Sequence, residues 1–299
     1  MLTLNSLFSE QTQRNIEQVV SDHIERNWAV NEFRDMNEFA SHPSAILSDG
    51  SYSVFVKLSH AANGLEQFRL ELEGLSLLSS LAGSLIPTPM ANLPVKEGVI
   101  LILEGVREVE RTPNQWREVG KALARIHRIQ GNQFGLETNN YFGPLYQDNR
   151  PLNDWPTFYA ERRLWPRLMG AINAGHLPVH VIRLMESLLQ RLPGLCGPEV
   201  QPTLLHGDAQ QNNFISTEAG TVVIDPAVYY GHPEMDLAYI DYFQPVPQDV
   251  LAAYQEEMPI DPGFYDRRDL WRIYGYLAIV EVEGSLYLPQ LVNALRKYT

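Results

Sequence analysis

The 299-residue sequence has a single cysteine, Cys196, so no disulfide can form within the chain, and the reducing cytoplasm is the expected setting. It has no apolar run approaching the roughly 18 residues of a membrane span, and its first residues lack the basic stretch and apolar segment of a secretory leader. No membrane association is expected. Positive charge is also scarce: 23 Lys and Arg against 36 Asp and Glu leave a net charge of -13. A phosphate backbone is gripped by basic faces, so nucleic acid is excluded as a partner, and a neutral or cationic small molecule is the better fit. With 44% hydrophobic residues the chain can build a substantial core, as one large or two modest domains. A monomer is the expected state.

Several periodic segments are present. Residues 10–26 place Ile16, Val19, Val20 and Ile24 on an amphipathic helix. Short β-prone runs follow, with Ser48-Asp49-Gly50-Ser51 as a hairpin turn before a strand over 52–58 that carries Lys57 near its end. The spacing of Phe68, Leu72, Leu75, Leu78 and Leu81 predicts a helix over 66–81, and Glu71 falls on its buried side. A carboxylate turned toward a core needs a cation, and Lys57 is the candidate. A strand over 99–103 ends in Glu104-Gly105-Val106. Helical patterns follow at 114–129, 180–192, 269–282 and 289–298, and His127, beside the apolar stripe of the first of these, reads as structural.

The chemistry concentrates in His206-Gly207-Asp208-Ala209-Gln210-Gln211-Asn212-Asn213 and in Val222-Val223-Ile224-Asp225-Pro226. If the β-prone runs flanking the turn at 216–220 pair antiparallel, Asn213 and Asp225 come within diagonal cross-strand reach. Two such oxygen-bearing side chains suit Mg²⁺, which completes its shell with phosphates and water. Asp208, five residues before Asn213, faces the same space. This is the spacing of kinase catalytic loops, in which an Asp receives the substrate hydroxyl proton and an Asn and a later Asp hold metal.

These segments resemble the protein-kinase-like small-molecule phosphotransferases of the aminoglycoside phosphotransferase superfamily, and within them most of all the fructosamine (ketosamine) kinase family. The marks are Asp225-Pro226-Ala227, Tyr230-Gly231-His232, Glu234 and Asp236-Leu237-Ala238, together with Asn140-Tyr141-Phe142-Gly143, Asn153-Asp154-Trp155, Phe158-Tyr159 and Arg162-Arg163-Leu164. The resemblance implies an α+β, bilobal protein-kinase-like fold. A small N-terminal lobe with an antiparallel sheet would span 1–104 and a larger, mainly helical lobe 105–299. It implies ATP and Mg²⁺ as cofactors, Asp208 as catalytic base, and Asn213 and Asp225 as metal ligands. Lys57, held by Glu71, would anchor the nucleotide phosphates, and Glu104 and Val106 would meet the adenine. Trp155, Tyr230 and His232 are candidates for contact with substrate, Arg162 and Arg163 read as structural, and Asp236 as support for the catalytic loop. The implied reaction is phosphorylation of a hydroxyl on a small sugar amine. An aminoglycoside or other amino-alcohol kinase is the alternative, and a non-catalytic nucleotide-binding protein the second.

Two departures accompany the resemblance. Between Asn31 and Lys57 the only glycine is Gly50, and the expected phosphate-covering loop reads Ala40-Ser41-His42-Pro43-Ser44. Where the family carries Leu-Trp-x-Gly after the catalytic Asp, this chain has Ala209-Gln210-Gln211-Asn212, which points to a changed acceptor.

Overall fold

The structure, a computed structural model, describes residues 9–37 and 42–299. Ala40 and Ser41 of the expected phosphate-covering loop lie outside them. The N-terminal part opens with helix α1 (Glu10–His23), whose Ser9 side chain accepts a hydrogen bond from the Thr12 N–H and so satisfies one of the free donors at the helix start. Strands β1 (Glu32–Asp35), β2 (Ser44–Ser48), β3 (Ser53–Ser59), β4 (Pro89–Val95) and β5 (Gly98–Glu104) form one antiparallel sheet in the order β1-β2-β3-β5-β4. The β2–β3 turn forms because the Asp49 carboxylate accepts from the N–H groups of Ser51 and Tyr52, at 2.8 Å each. Ile16 and Val20 of α1, Trp28, and Ala45, Val54, Val56, Ile100 and Ile102 of the sheet close a first core.

Helix α2 (Gly64–Ala82) crosses from this sheet to the rest of the molecule. Its Phe68 packs with Leu101 and Leu103 of β5, whereas Leu78 joins the second core. A helix wedged between two bodies buries more than one stripe. Leu70 is accordingly buried, and Leu81, which the spacing placed inward, is exposed in the last turn.

Beyond Glu104 the chain is mainly helical. Helix α3 (Pro113–His127) lies along α8 (Gln248–Glu257). Between them come the short pair β6 (Asn140–Phe142) and β7 (Leu145–Gln147), α4 (Trp155–Phe158), a wide π-type stretch over Tyr159–Leu164, α5 (Trp165–Asn173) and α6 (Val179–Arg191). Strand β8 (Thr203–Leu205) pairs with β11 (Tyr229–Gly231), and the hairpin β9 (Phe214–Thr217) and β10 (Gly220–Val223) projects between them. Helices α7 (Glu234–Tyr239), α9 (Phe264–Glu283) and α10 (Leu288–Arg296) complete the fold. Every helix expected from periodicity is present, with ends displaced by a few residues at most for all but α9, which starts five residues earlier than its pattern. The second core gathers residues from α2 to the C-terminus, with Phe158, Tyr159, Phe214, Trp271 and Leu277 at or near complete burial.

Candidate active site

The site lies where the two cores meet. Lys57 sits on β3, the middle strand of the sheet, between Ser44 of β2 and Leu101 of β5. Flanked on both sides, its side chain is buried, and its Nζ lies 3.0 Å from Glu71 Oε2 and 2.8 Å from Asp225 Oδ1. The expected Lys57–Glu71 pair is therefore formed, and Asp225 joins it. Burial disfavours the ammonium, but the charges of Asp225 and Glu71 override it and hold Lys57 protonated well above the usual lysine value. Two carboxylates share one cation, so their proton affinities separate. Burial, reinforced by Asp225, raises Glu71 to about 8 against the opposing pull of Lys57. Burial also pushes Asp225 upward, but Lys57 and a hydrogen bond with Glu71 outweigh it and leave Asp225 below the usual carboxylate range.

Asp225 is placed by the β9–β10 hairpin. Its register sets Val222 opposite Ile215 and Val223 opposite Phe214, and the Ile224 N–H continues the ladder to the Asn213 carbonyl at 3.0 Å. Asp225 is thus one step beyond the partner of Asn213, on the diagonal. Its φ of 50° is in the left-handed region, which costs energy for a residue with a side chain and is met most often where a functional group must be aimed.

Asp208 projects from the loop between β8 and β9. The Asn213 Nδ2 donates to its main-chain oxygen at 2.8 Å and to its Oδ2 at 3.2 Å, which turns the Asn213 amide oxygen away from Asp208. Burial, and then the charge of Asp225, raises the Asp208 carboxyl to about 7. The loop is held from behind: Asp236 accepts from the N–H groups of His206 at 2.7 Å and Gly207 at 3.0 Å, and also meets His127 Nε2 at 3.1 Å. This is the support role expected of Asp236. His206 donates from Nε2 to the Ile224 carbonyl at 3.0 Å and accepts the Asp208 N–H at Nδ1, a pattern that the neutral ring alone satisfies. Burial lowers its pKa accordingly. Gly207 has φ +83°, and a Cβ there would meet the Ala227 carbonyl oxygen at 2.0 Å, so the turn that delivers Asp208 requires glycine.

Two cavities open on these residues. One, of about 270 Å³, is lined by Lys57, Glu71, Asp208, Asn213 and Asp225, by the β6–β7 segment, and by a face of α9 ending in Glu283. The other, of about 210 Å³, is lined by Ile46, Phe55, Leu103, Glu104, Val106 and Ile224, and also by Arg34 and Arg111. Asn213 and Asp225 line both, whereas Asp208 lines the first and Glu104 and Val106 the second. From the loop that lacks glycine, His42 lines the first cavity, 5.6 Å from the Phe68 ring, and burial and Lys57 lower its pKa to about 4.

Trp155, Tyr230 and His232 line neither cavity. Trp155 is 4% exposed and packs against Phe134, Phe158, Tyr159 and Trp271. His232 lies between Trp155 and Trp271, and burial, aided by Arg267, lowers its pKa to about 3. Tyr230 is tied through its main chain to Gly135. The cause is topological: β11 pairs with β8 on the far side of the loop, so this motif supports the loop from the core. Arg163 is structural as expected, stacked 3.9 Å over the Tyr229 ring and donating to Asn149 Oδ1 at 2.6 Å. The residues that do wall the first cavity include Tyr239, Tyr242, Gly275, Ala278, Ile279 and Val282. Their one sequence signal is the spacing 275, 278, 279, 282 along a single helix face.

Asn213 and Asp225 thus stand between two cavities, with the Asp208 carboxylate on one side and the buried Lys57 ammonium against Asp225. The model of the fructosamine kinase family matches residues 12–299. The mouse protein named ketosamine-3-kinase is 30% identical over 256 residues, covering 85% of this chain and 80% of its own length. The crystal structure of a putative fructosamine-3-kinase from Thermobifida fusca superposes with a TM-score of 0.81 at 29% identity, covering 97% of this chain and 99% of that one. The aminoglycoside phosphotransferase APH(4)-Ia shares the fold at a TM-score of 0.60 and 17% identity, covering 94% of this chain and 96% of that one. The α+β kinase-like fold and the paired geometry of Lys57, Glu71, Asp208, Asn213 and Asp225 thus meet the family match along nearly the whole chain, and the protein is a kinase belonging to the fructosamine kinase family.

Proposed function

We propose that the protein transfers the terminal phosphoryl group of ATP to a hydroxyl of a ketosamine, with Mg²⁺ as the metal. The observation that carries this reading is the pair of cavities joined at Asn213 and Asp225, with Asp208 facing only the first. The second takes the base of the nucleotide, against Phe55, Leu103 and Ile224 and beside the main chain at Glu104 and Val106. The phosphates pass Asn213 and Asp225 toward Lys57 in the first, which also takes the acceptor. The names of the relatives support a ketosamine, because the mouse protein at 30% identity is a ketosamine-3-kinase.

The residues present fit Mg²⁺. Asn213 and Asp225 offer two oxygen-bearing side chains at the junction of the cavities, which suits an ion that takes one or two protein ligands and shares the rest with phosphate and water. Asn213, with its amide oxygen turned away from Asp208, and Asp225, held ionised below the usual range, would be those ligands. Bound there, the ion would offset charge on the phosphoryl group being transferred. Lys57 supplies a fixed positive charge that needs no reorganisation during reaction. Asp208 accepts the proton of the acceptor hydroxyl as its oxygen bonds to phosphorus and ADP departs. A carboxyl raised to about 7 is a suitable base near neutral pH.

The test is a phosphate-transfer screen over ketosamines, aminoglycosides and amino alcohols, with Asp208→Asn as control. Transfer to ketosamines that disappears in the variant supports the reading. Transfer confined to aminoglycosides or amino alcohols refutes the acceptor, and nucleotide binding without transfer to any of the three refutes the kinase assignment of the site.

A further inference from the structure

The acceptor cavity has a wall that the catalytic residues do not explain. Tyr239, at the end of α7, and Tyr242 both line it, as does Gly275 of α9. Tyr239 is 3% exposed, and the phenolic oxygens of both tyrosines are buried without a hydrogen-bond partner among the described residues. Their rings lie 5.3 Å apart. A Cβ on Gly275 would sit 3.0 Å from each of the two oxygens. The missing side chain therefore leaves a notch in the α9 face into which both hydroxyls pack.

Buried hydroxyls without partners are rare, because each gives up its water without recompense. Two of them converging on one notch in the wall of a ligand cavity are explained if a ligand completes their bonding. Burial raises both phenols well above their usual value, so they stay protonated and can donate. Ala278, Ile279 and Val282, next to Gly275 on the same cavity-facing side of α9, offer no polar atom from their side chains. The two phenols are the polar groups of this stretch of the wall.

We propose that Tyr239 and Tyr242, over the notch at Gly275, bind a hydroxyl of the acceptor other than the one phosphorylated, and so select a polyhydroxylated sugar amine over a simple amino alcohol. This rests on the phosphotransferase reading above. A site built to hydrogen-bond a hydroxyl discriminates strongly against the analogue that lacks it, since the protein groups are then left unpaired.

The experiment is steady-state kinetics of wild type, Tyr239→Phe, Tyr242→Phe and Gly275→Ala. The acceptors are an N-substituted 1-amino-1-deoxyketose and analogues lacking one non-reacting hydroxyl each. Both Phe variants are expected to lose about tenfold or more in kcat/KM with the full acceptor, the loss of one net hydrogen bond, while KM for ATP and the thermal midpoint stay at the wild-type value. One deoxy analogue is expected to be used equally by wild type and the Phe variants. Gly275→Ala, which displaces the two hydroxyls without removing either, is expected to lose activity with the full acceptor in the same way. Phe variants that match wild type with every acceptor overturn the proposal and leave the kinase reading intact. So does an equal loss on all analogues, which would mark a structural role. A wild-type enzyme that phosphorylates none of these acceptors overturns the reading of the previous section, and this proposal with it.

Discussion

Replacing Asp208 with Asn removes the proposed base and also a charge that the fold holds at a cost in stability. Burial, and then the Asp225 charge, raise the Asp208 carboxyl from 3.8 to about 7, a shift worth up to ~4 kcal/mol against the charged form. The side chain keeps part of its solvent access and accepts hydrogen bonds from Asn213 and Gln210, so about half of that, ~2 kcal/mol, is expected to appear. Between these two values the folded state binds more protons than the unfolded chain. Stability is therefore greatest below 3.8, falls as pH rises through the window to about 7, and stays reduced above it. Asparagine carries no charge and escapes this loss. Asp208→Asn is expected to exceed the wild type in stability by ~2 kcal/mol near pH 8, with the gap closing near pH 4. Urea unfolding followed by tryptophan fluorescence, in EDTA at the two pH values, measures it. The same variant is expected to lose phosphoryl transfer by about 10²–10⁴-fold. A variant less stable than wild type near pH 8, or a gap that ignores pH, refutes the reasoning.

Other outcomes follow from the same geometry. Lys57→Met removes the cation that Glu71 and Asp225 share, and is expected to abolish transfer and to destabilise by about 3 kcal/mol in urea unfolding. Asp225→Ala leaves Lys57 paired with Glu71, so transfer should fall below detection with a smaller loss of stability; near wild-type transfer would remove Asp225 from the mechanism. Asp236→Ala strands the His206 and Gly207 N–H groups, and ~3 kcal/mol of destabilisation with a lowered kcat is expected from unfolding and rate measurements. In the pH profile, kcat/KM should rise as Asp208 loses its proton around pH 7 in the free enzyme, and the limb should vanish in the residual activity of Asp208→Asn. MgATP at about a hundred times its Kd should stabilise the wild type by ~2.7 kcal/mol, read as a thermal shift that Asp225→Ala diminishes.

Local chemistry alone made much of this molecule legible. The 206–226 stretch carries its own geometry, since a hairpin register determines where Asn213 and Asp225 stand and a fixed offset determines where Asp208 stands. Lys57 and Glu71 could be paired from the sequence because a carboxylate on the buried side of a helix demands a cation, and one strand upstream offered it. Asp225 as the third member of that cluster was not legible: 168 residues separate it from Lys57, and nothing local records that the sheet closes over the hairpin. The acceptor wall was hidden for the same reason. Tyr239, Tyr242 and Gly275 carry no local signal until α9 is laid against α7, whereas Trp155 and His232, aromatic and polar beside family motifs, read as site until packing against Trp271 of α9 takes both into the core. The sequence by itself determined which reacting groups exist and their spacing along the chain, because turns and periodicity act over a few residues. The tertiary structure alone decided which side chains share a cavity, because that depends on how distant elements pack.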